Sequence, residues 1–271
     1  MLKLATIMAV YDGDSPEGFR AAIDSVLNQK FSERVNSRVY LAVDGPVSEE
    51  LEEQICSVEP QLHRVIRIMN NGGLANALNT LICHLEDEQF VFRMDADDLS
   101  LPTRYPCQLA YFAIGSNIDV LGTNIIEVDC RAKKRREVKF ARNSREARER
   151  LGWRAPVAHP TVCFRRHVLN TTKGYPDVLY NEDIALWFRC AEFGFAFGNV
   201  QEALYEFTID EGFWKRRSLQ KAFGEWRCYV LGGLRIDGLS WKILLPTIRL
   251  ILRLSPRWFQ KWAYNSRLRR V

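Results

Sequence analysis

The chain has 271 residues, 47% of them apolar and 26% charged, with a formal net charge of +5. That length supports one large domain or a domain with an appendage, and that composition excludes wholesale disorder. Seven scattered cysteines, with no CxxC pair and no zinc spacing, argue against a disulfide framework and for reduced thiols in a cytosolic protein.

In chain order, the first hundred residues alternate between two hydrophobic periods. "KLATIMAVY" reads as a strand, and "SPEGFRAAIDSVLNQ" as a helix with Ser15 as N-cap, Pro16 in the first turn and Phe19, Ala22, Ile23, Val26 and Leu27 on one face. The strands "SRVYLAVDG", "RVIRIMN" and "QFVFRMD" follow, separated by the helices "SEELEEQICSV" and "LANALNTLICHL". This alternation predicts a mainly parallel sheet with helices on both faces. Beyond it, "IDVLGTNIIEVD" and "REVKF" read as strands around the basic turn "CRAKKRR", "SREARERL" as a short helix and "HPTVCFRR" as a strand. "NEDIALWFRCAEFG" reads as a helix stopped by Gly194, and "ALYEFTI" as a last strand. The boundaries predicted are an α/β domain over 1–217, with a nucleotide-binding half (1–100) and a mixed second half (101–217), then a helical tail over 218–271.

Open α/β sheets bind ligands beyond the carboxyl ends of their strands. Those ends carry Tyr11-Asp12, Asp44-Gly45, Asn70 to Gly73 and Asp95 to Asp98, all on one rim. Asp95 and Asp97, two apart on a strand, present carboxylates to one side past the small Ala96. Hard oxygen ligands without a histidine or cysteine cluster suit Mg²⁺ or Mn²⁺, completed by water and phosphate oxygens. The bland alternative is a solvated turn. Gly72 and Gly73 precede a helix whose free N–H groups can face a phosphate or simply form a tight turn. Neither a GxGxxG fingerprint nor a Walker A loop is present, which disfavours dinucleotide and P-loop enzymes.

The stretches "VYDGDSPEGFRAAIDSVLNQ", "NGGLANALN", "RMDADDLSLPTR", "HPTVCFRR" and "GYPDVLYNEDIALWFRCAEFG" together resemble family-2 glycosyltransferases of the GT-A fold. That group builds bacterial O-antigen, capsule and exopolysaccharide repeat units. The resemblance implies a UDP-sugar donor, with Val10, Tyr11 and Asp44 near the uracil and Asn71, Gly72, Gly73, Asn79, Ala96 and Arg104 lining the nucleotide-sugar pocket. It implies the D-x-D pair Asp95 and Asp97 on Mn²⁺ or Mg²⁺, Asp95 touching ribose or metal, with Asp98 supporting both. Where the family often has two consecutive acids, this chain has Ala-Val-Asp-Gly-Pro around Asp44.

Transfer of a sugar to a hydroxyl also needs a base on the face opposite the leaving group, separate from the metal carboxylates. Glu182-Asp183, the family's E-D motif, supplies it, with Asp183 as the base of a single, inverting displacement; acids in a first helical turn also serve simply as caps. His159 is a candidate near the acceptor, and Arg216 and Arg217 near a diphosphate.

Residues 240–271 hold eight bases and no acid, leaving 30 bases against 33 acids in residues 1–239, a net of −3. Aliphatic and tryptophan residues among those bases suit an anionic bilayer surface or a helix packed on the body, and no nucleic-acid-binding signature accompanies them. No secretory signal and no apolar run of about 18 residues is present. The resemblance thus predicts a peripheral enzyme on the cytoplasmic face of the inner membrane, using a polyprenyl-diphosphate-linked saccharide acceptor. The alternatives are a sugar nucleotidyltransferase and a non-catalytic sugar-nucleotide-binding membrane module.

Overall fold

Strand β1 (Leu2–Val10) sends Leu4, Met8 and Val10 to one side and Ala5 and Ile7 to the other, and all five are buried. A strand apolar on both faces must be covered on both, and the following elements do that. In the computed structural model, which describes residues 1–31, 34–114, 117–178, 180–209 and 219–255, β1 is followed by α1 (Pro16–Leu27), β2 (Val35–Asp44), α2 (Glu49–Val58), β3 (Arg64–Ile68), α3 (Leu74–Cys83) and β4 (Phe90–Met94). Ser15 caps α1 by accepting from Gly18 N at 2.9 Å. Then come β5 (Leu99–Ser100), α4 (Arg104–Ala113), β6 (Val120–Asp129), β7 (Lys134–Val138), α5 (Ser144–Arg150), β8 (Cys163–Arg165), α6 (Arg166–Thr172), α7 (Glu182–Glu192) and β9 (Phe197–Ile209). Two C-terminal helices, α8 (Leu219–Asp237) and α9 (Leu244–Leu254), complete the described chain.

The strands form one sheet in the order β3-β2-β1-β4-β8-β6-β9-β5, with β7 paired to β6. β3, β2, β1 and β4 are parallel, β8 runs antiparallel to both β4 and β6, and β9 is parallel to β6. The parallel half and mixed half match the sequence expectation. Leu4, Met8 and Phe92 pack against α1, α2 and α4 through Phe19, Ile55 and Phe112. Ala5, Ile7 and Val91 pack against α3, α6 and α7 through Leu78, Val168 and Trp187.

Three local readings differ. "HPTVCFRR" is a 3-10 turn over His159–Thr161 followed by only three strand residues. Pro160 has no N–H for a sheet ladder, so the strand starts after it. Helices α4 and α6 did not announce themselves, because α4 buries Arg104 and Gln108 where a core face would be apolar. Pro246 is accommodated inside the last helix: it is the third residue of α9, a position with no intrahelical partner for an N–H.

The sheet's opposite rim carries Glu86, Asp87 and Glu88, whose carboxylates are paired with Lys3, Arg38, His63 and Arg64. Tyr40 adds a 2.6 Å hydrogen bond to Glu88. The cations already present neutralise that cluster, so the acidic site of interest lies at the other end of the strands.

Candidate active site

Asp44 ends β2, and both its carboxylate oxygens accept backbone hydrogen bonds, from Gly72 N and Gly73 N at 2.8 Å each. Asn71 adds a bond from its side-chain amide to Asp44 O at 3.2 Å. The N–H groups expected to meet a phosphate therefore meet a protein carboxylate. Asp44 is only 4% exposed, and with both oxygens so engaged it braces the turn into α3. Gly73 adopts φ +84°, a conformation that favours glycine and lets α3 start there. Val10 is buried, which leaves its backbone to face the rim, whereas the Tyr11 ring is exposed and lies over Gly13, where a β-carbon would collide with it.

The end of β4 gathers the acids. One oxygen from each of Asp95, Asp97 and Asp98 lies within 4.8 Å of the other two. Asp98 is 1% exposed; its Oδ1 accepts from Thr208 N at 2.7 Å, while its Oδ2 is buried without a hydrogen-bond partner among the described residues. Burial and the charges of Asp95 and Asp97 push the Asp98 carboxyl well above the usual range. Three clustered carboxylates with an orphaned buried oxygen fit a hard divalent cation, and the all-oxygen donor set excludes a zinc-type preference.

Two buried arginines flank this cluster. Arg93, two residues before Asp95 and so on the same side of β4, forms an ion pair with it. Arg104 is fully buried: it donates to Arg93 O at 2.8 Å and to Gln108 at 3.2 Å, between the rings of Tyr105 and Tyr205. That corrects the expectation that Arg104 lines the pocket. It holds β4 from beneath. Ala96 is buried beside it, and its carbonyl lies 3.9 Å from where a β-carbon on Gly18 would sit.

The second carboxylate pair opens α7. Asp183 and Glu182 are half-buried. Burial, then the neighbouring Glu182, pushes the Asp183 carboxyl up to about 6, opposed by the Ile184 N–H, Lys221 and Arg93. A carboxylate tuned towards neutrality is suited to taking a proton at neutral pH. Asn181 occupies the N-cap position with φ +60°, yet its side chain makes no cap bond; its amide reaches Lys221 O in α8 at 3.1 Å.

His159 and Asn79 meet at Tyr175, a residue the sequence did not single out. Tyr175 OH lies 2.8 Å from His159 Nε2, and Asn79 bonds both the N–H and the carbonyl of Tyr175 at 2.7 and 2.9 Å. Asn79 thus ties α3 to the segment before α7. Burial and the Arg93 charge hold the His159 imidazole well below its ordinary pKa, so it is neutral. Arg93, Tyr175 and Tyr205 are the site residues that sequence reasoning missed. Only Arg93 left a signal, a cation inside the otherwise apolar strand "FVFRM". Arg216 and Arg217 lie outside the described residues.

Residues 6–172 match the family described as Glycosyl transferase family 2. The chain belongs to that family. A transferase of this kind leaves no room for the nucleotidyltransferase alternative. The chain is 25% identical over 272 residues to the Escherichia coli UDP-Gal:alpha-D-GlcNAc-diphosphoundecaprenol beta-1,3-galactosyltransferase, covering 99% of this chain and 97% of that one. S. aureus TarS, solved with UDP-GlcNAc, superposes with a TM-score of 0.67 at 17% identity, over 98% of this chain and 74% of that one. A mannosyltransferase from Pyrobaculum calidifontis, solved with GDP-Man and Mn²⁺, gives 0.61 at 15% identity, over 92% and 70%. The glycosyltransferase has the GT-A fold of these neighbours.

Proposed function

We propose that the chain is an inverting, metal-dependent glycosyltransferase that moves a hexose or N-acetylhexosamine from a UDP-sugar to a saccharide carried on a polyprenyl diphosphate. The observation that carries this reading is the placement of two distinct carboxylate groups around Arg93: the acid cluster at the tip of β4 and the Asp183 carboxyl with a pKa of about 6. The E. coli relative's lipid-diphosphate acceptor and UDP-Gal donor support the substrate classes.

In this mechanism Asp95 and Asp97 would hold Mn²⁺ or Mg²⁺, with Asp98 behind them. The cation, when bound, offsets negative charge developing on the departing diphosphate. Asp183 takes the proton of the acceptor hydroxyl as that oxygen bonds to the anomeric carbon. The bond from that carbon to the diphosphate oxygen breaks in the same displacement, releasing UDP and inverting the carbon. Neutral His159, held by Tyr175, can donate or accept one hydrogen bond to the acceptor without competing for its proton. Tyr11, Asn71, Gly72 and Gly73 form the rim beside the nucleotide, braced by Asp44.

The reading also places the enzyme on the cytoplasmic face of the inner membrane. No helix among the described residues is long and apolar enough to cross a bilayer. On α9, Arg249 turns inward to Glu225 at 2.8 Å, while Leu244, Ile248, Ile251 and Leu252 are exposed along one side. That is the reverse of a helix packed by its apolar face, and it suits insertion at an anionic surface, with the basic residues of 240–271 on lipid phosphates. The decisive experiment is calorimetry of UDP with Mn²⁺: Asp97→Ala should abolish metal-dependent binding, and equal affinity of the wild type in EDTA would overturn the metal assignment. Asp183→Asn should keep UDP binding and lose turnover; unchanged transfer would sink the base assignment, and UDP binding without any transfer by the wild type would favour the non-catalytic binding module.

A further inference from the structure

The turn into α7 is built in an unusual way. Tyr180 and Asn181 are consecutive non-glycine residues with φ of +64° and +60°, immediately before Glu182 and Asp183. Left-handed backbone at such residues persists only where the surroundings over-determine it. Here the surroundings are α8. The Asn181 amide donates to Lys221 O at 3.1 Å and is therefore not available as a cap for α7. The Asn181 carbonyl receives the Cys228 thiol at 4.0 Å and the Ala185 N–H at 3.1 Å. Asn181 is 7% exposed.

The same two helices are registered further along. Phe188 of α7 meets the Tyr229 ring edge-on at 5.8 Å, and a β-carbon on Gly232 would sit 2.2 Å from the Phe188 ring. Helix α8 is thus fastened to the element bearing the carboxylate, and Lys221, in its first turn, meets the residue two before that carboxylate.

We propose that Asn181 is a positioning residue for Asp183, and that through its bond to Lys221 the C-terminal helix α8 fixes the depth and direction of the base. This rests on Asp183 being the base. Among the described residues, the groups facing Asp183 include Glu182 from its own helix, Lys221, Cys228 and Tyr229 from α8, Arg93 from β4 and Tyr175 from the preceding segment. Burial is the largest cause of its raised pKa, and α8 supplies part of that cover. Unfastening the turn admits water, and the carboxyl then falls towards its ordinary range even though Lys221 also recedes.

The test compares Asn181→Gly, which keeps the left-handed backbone and loses the amide, with Asn181→Asp, which keeps the shape and turns an acceptor towards Lys221 O. The full-length protein carries ¹³C-labelled aspartate, and the Asp183 carboxyl resonance, assigned by its loss in Asp183→Asn, is followed against pH. Asn181→Gly should lower that midpoint by about one unit, and both variants should cut kcat, read as UDP release from UDP-galactose or UDP-N-acetylglucosamine, about tenfold or more; Asn181→Asp adds a carboxylate that itself raises the midpoint, so that variant is read by kcat alone. UDP affinity with Mn²⁺ should stay within about twofold, because the nucleotide rim is untouched. An unchanged midpoint in the folded Asn181→Gly protein would overturn the proposal. A shifted midpoint with full turnover in Asp183→Asn would leave the positioning intact and sink the base assignment instead.

Discussion

Replacing Asp44 separates bracing from base recognition. Its carboxylate accepts two N–H bonds at 2.8 Å from the turn that starts α3, and it is 4% exposed. A hydrogen bond to a charged partner contributes about 1.5–3 kcal/mol, and the lower figure applies because Gly72 and Gly73 are open to water once released. An anion at a helix N-terminus adds roughly 0.5–1 kcal/mol. Asp44→Ala should therefore cost about 3–4 kcal/mol, and Asp44→Asn, which keeps one acceptor of similar shape, about 2 kcal/mol. Urea unfolding reads these differences directly, and the melting temperature should fall by about 2–4 °C per kcal/mol. Calorimetry with UDP and CDP completes the assay. A brace weakens both nucleotides in parallel because the loop they share has loosened, whereas a uracil ligand weakens UDP and spares CDP. Unchanged stability with loss of the uridine preference would refute the bracing argument.

The remaining predictions concern the base, the helix joint and the exposed face. Asp183 has a folded pKa of about 6 against an ordinary value of 3.8, so turnover should fall as pH drops through about 6. Because the folded pKa is raised, its protonated form favours folding: the stabilisation is complete below about 4 and is lost as pH rises to about 6. That difference is about 3 kcal/mol, and Asp183→Asn should flatten the corresponding slope in pH-dependent urea midpoints. Gly232→Ala forces a β-carbon into the Phe188 ring and should destabilise by about 1–3 kcal/mol, read as a lower melting temperature. Ile248→Glu with Ile251→Glu, both on the exposed side of α9, should reduce co-sedimentation with phosphatidylserine vesicles by at least about tenfold and leave UDP binding unchanged. Equal sedimentation of that double variant would remove the membrane reading.

Much of the architecture was legible because burial follows period. Strand β1 alternates cleanly between two cores, and the helical faces of α1 and α7 repeat at 3.6, so their limits fell within a residue or two of those observed. The D-x-D cluster was legible because three acids at the end of an apolar strand have no core role. What stayed hidden depends on partners far apart in sequence. Asp44 finds its donors 28 and 29 residues on, Asn79 finds Tyr175 96 residues on, and nothing local encodes either pairing. Buried cations mislead in the other direction. Arg104 reads as a pocket residue because arginine is ordinarily at a surface, but two tyrosine rings, Gln108 and the Arg93 carbonyl satisfy it inside.

Arg93 acts on both carboxylate groups of the site. Asp98 and Asp183 are both raised, but from different sources: Asp98 by burial with Asp95 and Asp97, Asp183 by burial with Glu182. Arg93, ion-paired to Asp95, also lowers the Asp183 carboxyl, so one buried cation acts on both groups. A buried guanidinium acting on both groups attracts each of them, and so offsets part of the cost of gathering carboxylates in one buried site. Burial, and then the same cation, hold the His159 imidazole well below its ordinary pKa, so that no imidazolium adds its charge beside Arg93.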